Sequence, residues 1–268
     1  MDDDEPSDDE DDDGMDSSMP TLFPTNEEHE ELHRKDVLTR DTLLLLGTYT
    51  IFQLSNISFN SLYPIFAQAS PPTGRALAPQ EIGLSLAFAG VVTILFQIGI
   101  FGKLRDKMGN KTSYRVGLGG FVLAFILIPW VGYKNAGTGD AGLGSGKALL
   151  WVELGFVLLI KTIAAVGGLT SALLLITNSA PNHAVLGTLN GIAQTLSAAG
   201  RAIGPFVAGG LFSIATKIKP KGEAMAFGVF GGIAFLGFLL SFGIRSEGLE
   251  AEGWESDESY KSEEDEEL

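Results

Sequence analysis

Six runs of apolar residues, each long enough to cross a bilayer, leave this chain little choice of fold. They cover approximately Leu43 to Ala67, Ile82 to Phe101, Tyr114 to Gly132, Ala148 to Ile176, Leu186 to Ile214 and Ala224 to Ile244. A helix needs about 20 such residues to span a hydrocarbon core of about 30 Å. Lipid cannot hydrogen-bond an exposed backbone, so runs of this length and composition are helices and not strands. The breaks between them are rich in proline, glycine and polar residues. Ser70 to Gly74 stops the first run, and Pro79 with Gln80 and Glu81 opens the second in the manner favoured at helix N-termini. The expected fold is an all-α membrane protein of six transmembrane helices over residues 38–245, with disordered acidic tails at 1–37 and 246–268.

The charge distribution supports that division. Of 33 acidic residues, 17 lie in positions 1–41 and 11 after Ile244, so the middle retains only Glu81, Asp106, Asp140, Glu153 and Glu223. The same middle holds 13 of the 18 Lys and Arg and is net positive by eight. The net charge of −15 therefore belongs to two solvated tails, which cannot bury enough apolar surface to offset their ordering entropy. Nucleic acid is not an expected partner; the lipid bilayer is. With no cysteine there is no disulfide framework or thiol nucleophile. The acidic start has no signal-peptide character, so insertion falls to the internal helices.

Orientation comes from the charged stretch Gly102 to Lys111, read as a loop between the second and third spans. Five Lys or Arg fall between Lys103 and Arg115, the bias of a cytosolic loop. Six spans then place both termini in the cytosol and segments 68–81, 133–147 and 217–223 on the opposite side, Lys217, Lys219 and Lys221 included. Which membrane is occupied, plasma or vacuolar and endomembrane, is left open.

One motif points elsewhere. His29-Glu30-Glu31-Leu32-His33 matches the H-E-x-x-H pattern of zinc peptidases, and His183 is the only other histidine. That chemistry requires two histidines on one face of a buried helix, a third ligand and a substrate cleft. The pattern lies in a polar linker, where a solvated juxtamembrane helix is the reading adopted. Zinc peptidase activity through His29 and His33 is kept as a remote alternative; no enzyme activity, metal site or cofactor is expected.

The stretch Gly102-x-Leu104-x-Asp106-x-x-Gly109-x-Lys111 resembles the loop signature of the major facilitator superfamily of secondary transporters. A second resemblance lies in the fifth span, where Gly200, Gly204-Pro205 and Gly209 look like the glycine-proline signature of antiporters in that superfamily, with Ala208 in place of a glycine. By helical geometry alone, Ala193, Ser197, Gly200, Gly204 and Ala208 share one stripe, where small side chains let a neighbouring backbone approach. Pro205 cannot donate to the carbonyl of Arg201, so the helix is expected to bend or loosen there.

The resemblance covers roughly residues 38–245 and is closest to fungal and plant transporters similar to zinc-induced facilitators and drug:proton antiporters. It implies one six-helix half of a twelve-helix transporter, the acidic start being the central linker. A missing N-terminal half or a second copy is then needed to complete the substrate cavity. The implied function is transport of a small solute, with proton coupling an option and the substrate unnamed. The alternative is a non-transporting membrane scaffold or truncated product.

The resemblance also implies that the first and fourth helices line the cavity. Gln53, Asn56 and Asn60 fall on one side of the first span, and Glu153 and Lys161 lie on the fourth. Asn56, Asn60, Lys161 and Arg201 are the candidate substrate contacts, with Lys161 and Asn56 expected at the same central depth, Asn56 across the cavity, and Glu153 as the coupling candidate. Ionisable groups at membrane depth are costly and mark function by default. The other readings are interfacial placement of Glu153, snorkelling of Lys161, amides that join helices, and an Arg201 bound to the carbonyl freed by Pro205.

Overall fold

The computed structural model describes residues 39–132, 145–180, 183–218 and 222–245. Among them are six long helices and no strand: α1 (Arg40–Gln68), α2 (Pro79–Gly99), α3 (Phe101–Leu127), α4 (Ser145–Asn178), α5 (His183–Ala215) and α6 (Gly222–Ser241), with a 3₁₀ turn at Ile128–Trp130 after α3. Five of them, α2 to α6, are long and apolar enough to cross a membrane; α1 is long enough but carries too many polar residues to reach that hydropathy. The expected acidic tails, and His29 and His33 with them, lie outside the described residues.

Every helix but one begins and ends within three residues of the expected span. The exception is α3, which starts at Phe101 and absorbs the charged stretch read from sequence as a loop. Phe101 is buried and Leu104 and Met108 are half-buried. Their i, i+3, i+7 spacing is that of an amphipathic helix, so the segment coils with its apolar face inward and its charges outward. The helical path breaks at Gly109, with φ +72° and ψ 167°. That is a conformation a side-chain-bearing residue adopts only under strain, which accounts for a glycine there. Gly102, by contrast, sits in regular helix with open space beside it.

α1 is the central element. Fourteen of its 29 residues are buried, against three of 21 in α2. α5 and α6 pack along it, α3 lies along α4 and against α6, and α2 rests on α4 while scarcely touching α5. Most polar residues of α1 survive burial because they are hydrogen-bonded, the buried Ser58 hydroxyl being an exception. Thr48, Thr50, Ser55 and Ser61 donate to carbonyls three or four residues earlier, at 2.8 to 3.1 Å. Phe52, Phe59 and Phe66, seven residues apart, form one stripe that meets Phe121, Phe125 and Phe227 edge to face at 5.2 to 5.4 Å.

The tightest helix contact joins α3 and α4. A methyl group at Gly117 would lie 2.6 Å from the Cα of Gly168, and one at Gly168 would lie 3.2 Å from the Cα of Gly117. Two backbones meet there with nothing between them, the arrangement by which van der Waals contact holds helices together in lipid.

Each end of the bundle has its own ties. At one end Arg115 donates to the Ser241 carbonyl at 3.2 Å and lies over the Phe242 ring. At the other, buried Arg75 in the α1–α2 connection donates to the carbonyls of Val131, Pro129 (2.8 Å) and Gly74 (3.0 Å) and stacks on Phe66. Burial holds the Arg75 guanidinium below its usual pKa, and the negative fields of Glu223 and Glu153 oppose that shift. Lys147 pairs with Glu81 at 2.6 Å, joining the starts of α4 and α2.

Candidate functional site

Lys161 is 16 residues from the start of α4 and 17 from its end. It is thus about 24 Å from either terminus at 1.5 Å per residue, in the middle of the helix. Its Nζ donates to Asn60 Oδ1 of α1 at 2.7 Å and lies 5.6 and 6.0 Å from the ring centres of Phe59 and Phe121. Asn60 is exposed and Lys161 and Asn56 are half-buried, so the cluster opens outward from the bundle. The residue that Lys161 bonds on α1 is Asn60 and not Asn56. Asn56 stands one turn behind, its Oδ1 facing Asn60 Nδ2 at 3.5 Å. The difference is a matter of depth, because residues four apart on a helix share a side but lie about 6 Å apart along the axis.

Gln53 turns the other way. Its amide donates to Ser197 Oγ of α5 at 2.8 Å and to the Tyr49 hydroxyl at 3.1 Å, and it is buried. It joins α1 to α5, one of the two roles open to these amides. The small-residue stripe of α5 faces α1: Ala193, Ser197, Gly200, Gly204 and Ala208 are all buried. A methyl group on Gly204 would come within 2.8 Å of Ile57 Cγ2, and one on Gly200 within 3.6 Å of Ile57 Cδ1. Gly209, beyond the stripe, has open space beside it.

Arg201 flanks this stripe on α5 and is exposed, with no hydrogen bond or ion pair to the described residues. The guanidinium contact to its own proline-freed carbonyl is therefore not formed. α5 runs helically through Pro205 to Ala215. A feature missed in the sequence reading repeats this on α1, where Pro64 lies inside the helix and cannot donate to the carbonyl of Asn60. Asn60 and Arg201 each precede a proline by four residues, so each offers a main-chain acceptor without its helical partner.

Glu153 is not part of the cluster. Its Oε2 accepts the Gly132 amide at 2.7 Å and so secures the turn after α3, where Gly132 has φ +64°. Asp106 pairs with its neighbour Arg105 at 3.2 Å on the surface, Lys111 is half-buried beyond the Gly109 break, and Gly102 is exposed. An apolar cleft of about 190 Å³ between α2, α3 and α4, lined by Phe96, Met108, Ile163 and Gly167, is separate from the cluster. Among the described residues no group of three His, Cys, Asp or Glu side chains converges to hold a metal.

Against this geometry stand the comparisons with known proteins. The family model described as Major Facilitator Superfamily matches residues 20–259. The multidrug transporter mfsB of Aspergillus fumigatus is 24% identical over 196 residues, 69% of this chain and 31% of its own length. The Arabidopsis thaliana protein ZINC INDUCED FACILITATOR-LIKE 1 is 24% identical over 199 residues, 72% of this chain and 39% of its own. The class H tetracycline resistance protein of Pasteurella multocida is 32% identical over a shorter stretch of 88 residues, 33% of this chain and 21% of its own length. The chain thus spans well under half the length of these curated relatives. No solved structure gives a significant match.

Proposed function

The chain belongs to the major facilitator superfamily, and from that premise we propose that its six helices form one wall of a secondary transporter whose solute contacts Lys161 and Asn60. The observation that carries this reading is the 2.7 Å bond between a lysine at the middle of one helix and an exposed amide on the central helix. A charge at that depth is expensive, and such residues face a cavity or a partner. Asn56 and Arg201 complete the contact set, and the Gly102–Lys111 and Gly200–Gly209 segments are the parts that move. Alternating access needs a second wall. Because the relatives extend well beyond the matched region, that wall comes from further sequence of the same protein or from a second copy.

In this reading α1 is also a span, since its polar side chains are bonded to its own carbonyls and to α5. Both chain termini then share the cytosolic side with the Lys103–Arg115 segment. Single cysteines report orientation cleanly because the chain has none of its own. Lys107 is the better position and Asn110 a poor one, since Lys107 is exposed and Asn110 is buried. A cysteine in place of Lys107 is expected to react with an impermeant maleimide only from the cytosolic side; labelling from the other side inverts the topology.

Transport itself is tested by comparing, by mass spectrometry, the solutes accumulated in vesicles bearing the parent chain or Lys161→Ala at equal protein level. At least one solute should depend on the parent and fall in the variant. Saturable flux that is identical in both would remove Lys161 from the site, and flux by a proven monomer would remove the need for a second wall.

A further inference from the structure

Resting on the transporter reading above, we infer that the solute taken at this site is an anion. Two cations and no carboxylate occupy its layer. Lys161 is fixed to the depth of Asn60 by their hydrogen bond. Arg201 is fixed near the depth of Ile57, because its neighbours Gly200 and Gly204 pack on that residue. Asn60 and Ile57 differ by three residues, or about 4.5 Å along α1.

The described residues contain five acidic side chains, and each is elsewhere. Asp41, Glu81 and Glu223 stand in the first turns of α1, α2 and α6. Asp106 precedes the Gly109 break and pairs with Arg105. Glu153 lies eight residues from Lys161, about 12 Å along the axis, and its carboxylate is occupied by the Gly132 amide.

The neutral groups around Lys161 do not balance its charge. Asn60 supplies one amide oxygen, and the faces of Phe59 and Phe121 add only a weak cation–π attraction. Arg201 has less still, since no described residue bonds to it. Two uncompensated cations at one depth raise the cost of the empty site, and an entering anion relieves it. A cationic solute meets repulsion from both, which is discrimination by unfavourable contact as well as by favourable contact. Arg201 is exposed, and Lys161 is half-buried beside the exposed Asn60.

The test uses three probes of one shape and different charge: benzoate, benzamide and benzylammonium. Their binding to the purified full chain in lipid nanodiscs is measured by equilibrium dialysis. Benzoate is expected to bind saturably and at least about tenfold more tightly than the other two, the scale of one charge-assisted hydrogen bond. Lys161→Gln and Arg201→Gln should each weaken it by about tenfold or more, and Lys161→Arg should retain it. Tighter binding of benzylammonium or benzamide, lost in Asn60→Ala, overturns the anion assignment and leaves the binding site standing. Benzoate binding unaffected by both glutamine variants overturns it by placing the anion elsewhere. Saturable binding of none of the three overturns the assignment and the site together.

Discussion

Gly117→Ala is the substitution whose outcome the structure constrains most tightly. The new methyl carbon would sit 2.6 Å from Gly168 Cα and 3.0 Å from both Gly168 N and Ala164 O. Carbon atoms are comfortable at about 3.5 to 4.0 Å, so the shortfall from Gly168 Cα is about 1 Å. The obstructing atoms are main chain. No rotamer change relieves the overlap, and α4 must shift as a unit. Overpacking of this kind costs about 1–3 kcal/mol. Replacing glycine by alanine inside a helix returns about 0.5–1 kcal/mol of conformational entropy, which would blur the result. Gly232→Ala on α6 is the control: a methyl there meets nothing within 4 Å, so it carries the same entropic gain without the clash. The two variants should differ by about 1–3 kcal/mol, a separation of roughly 2–10 °C in Tm for a chain of this size, read from thermal unfolding in detergent. Melting temperatures within about 1 °C of each other would refute the backbone-to-backbone contact between α3 and α4.

Other substitutions probe the end of the bundle near Arg75. A lysine in place of Arg75 has one ammonium for carbonyls of Val131, Pro129 and Gly74 that a planar fork now serves. Each carbonyl left buried without a donor costs about 1–3 kcal/mol, and hydrogen exchange at residues 128–132 should accelerate. Unchanged exchange there would show that Arg75 does not hold the turn. Glu153→Gln keeps an oxygen acceptor for the Gly132 amide and should alter stability by less than about 0.5 kcal/mol, whereas Glu153→Ala leaves that amide unpaired and should cost about 1–3 kcal/mol. Equal stability in both would mean the bond is not made. A solute flux whose pH profile moves in Glu153→Gln would give the carboxylate a role in coupling as well as in the turn.

Much of this architecture is written locally. Runs of about 20 apolar residues, proline with an acid at the start of α2, and small residues at a helical repeat on α5 are properties of neighbouring positions. They located five helices to within three residues at each end and predicted the stripe that now packs against α1. The same local signals failed at Gly102 to Lys111, because charge density suggests a loop while the spacing of Phe101, Leu104 and Met108 makes a helix that only Gly109 interrupts.

The tertiary structure alone decided which faces meet. Thirty-four glycines occur in the chain, and nothing in their flanking residues marks Gly117 and Gly168 as the pair across which two backbones touch. Nor does spacing say that Gln53 bonds across to α5 while Asn60 takes Lys161, or that Glu153 is spent on the Gly132 amide. Hydropathy ranked α1 as the least membrane-like of the six helices, yet nearly half of its residues are buried and it carries the largest buried share. The physical reason is common to all four cases. A helix's period and composition specify what each face can offer, but its partner is whichever helix the chain's remaining contacts bring alongside. A polar helix can be central only because its neighbours and its own carbonyls satisfy its side chains.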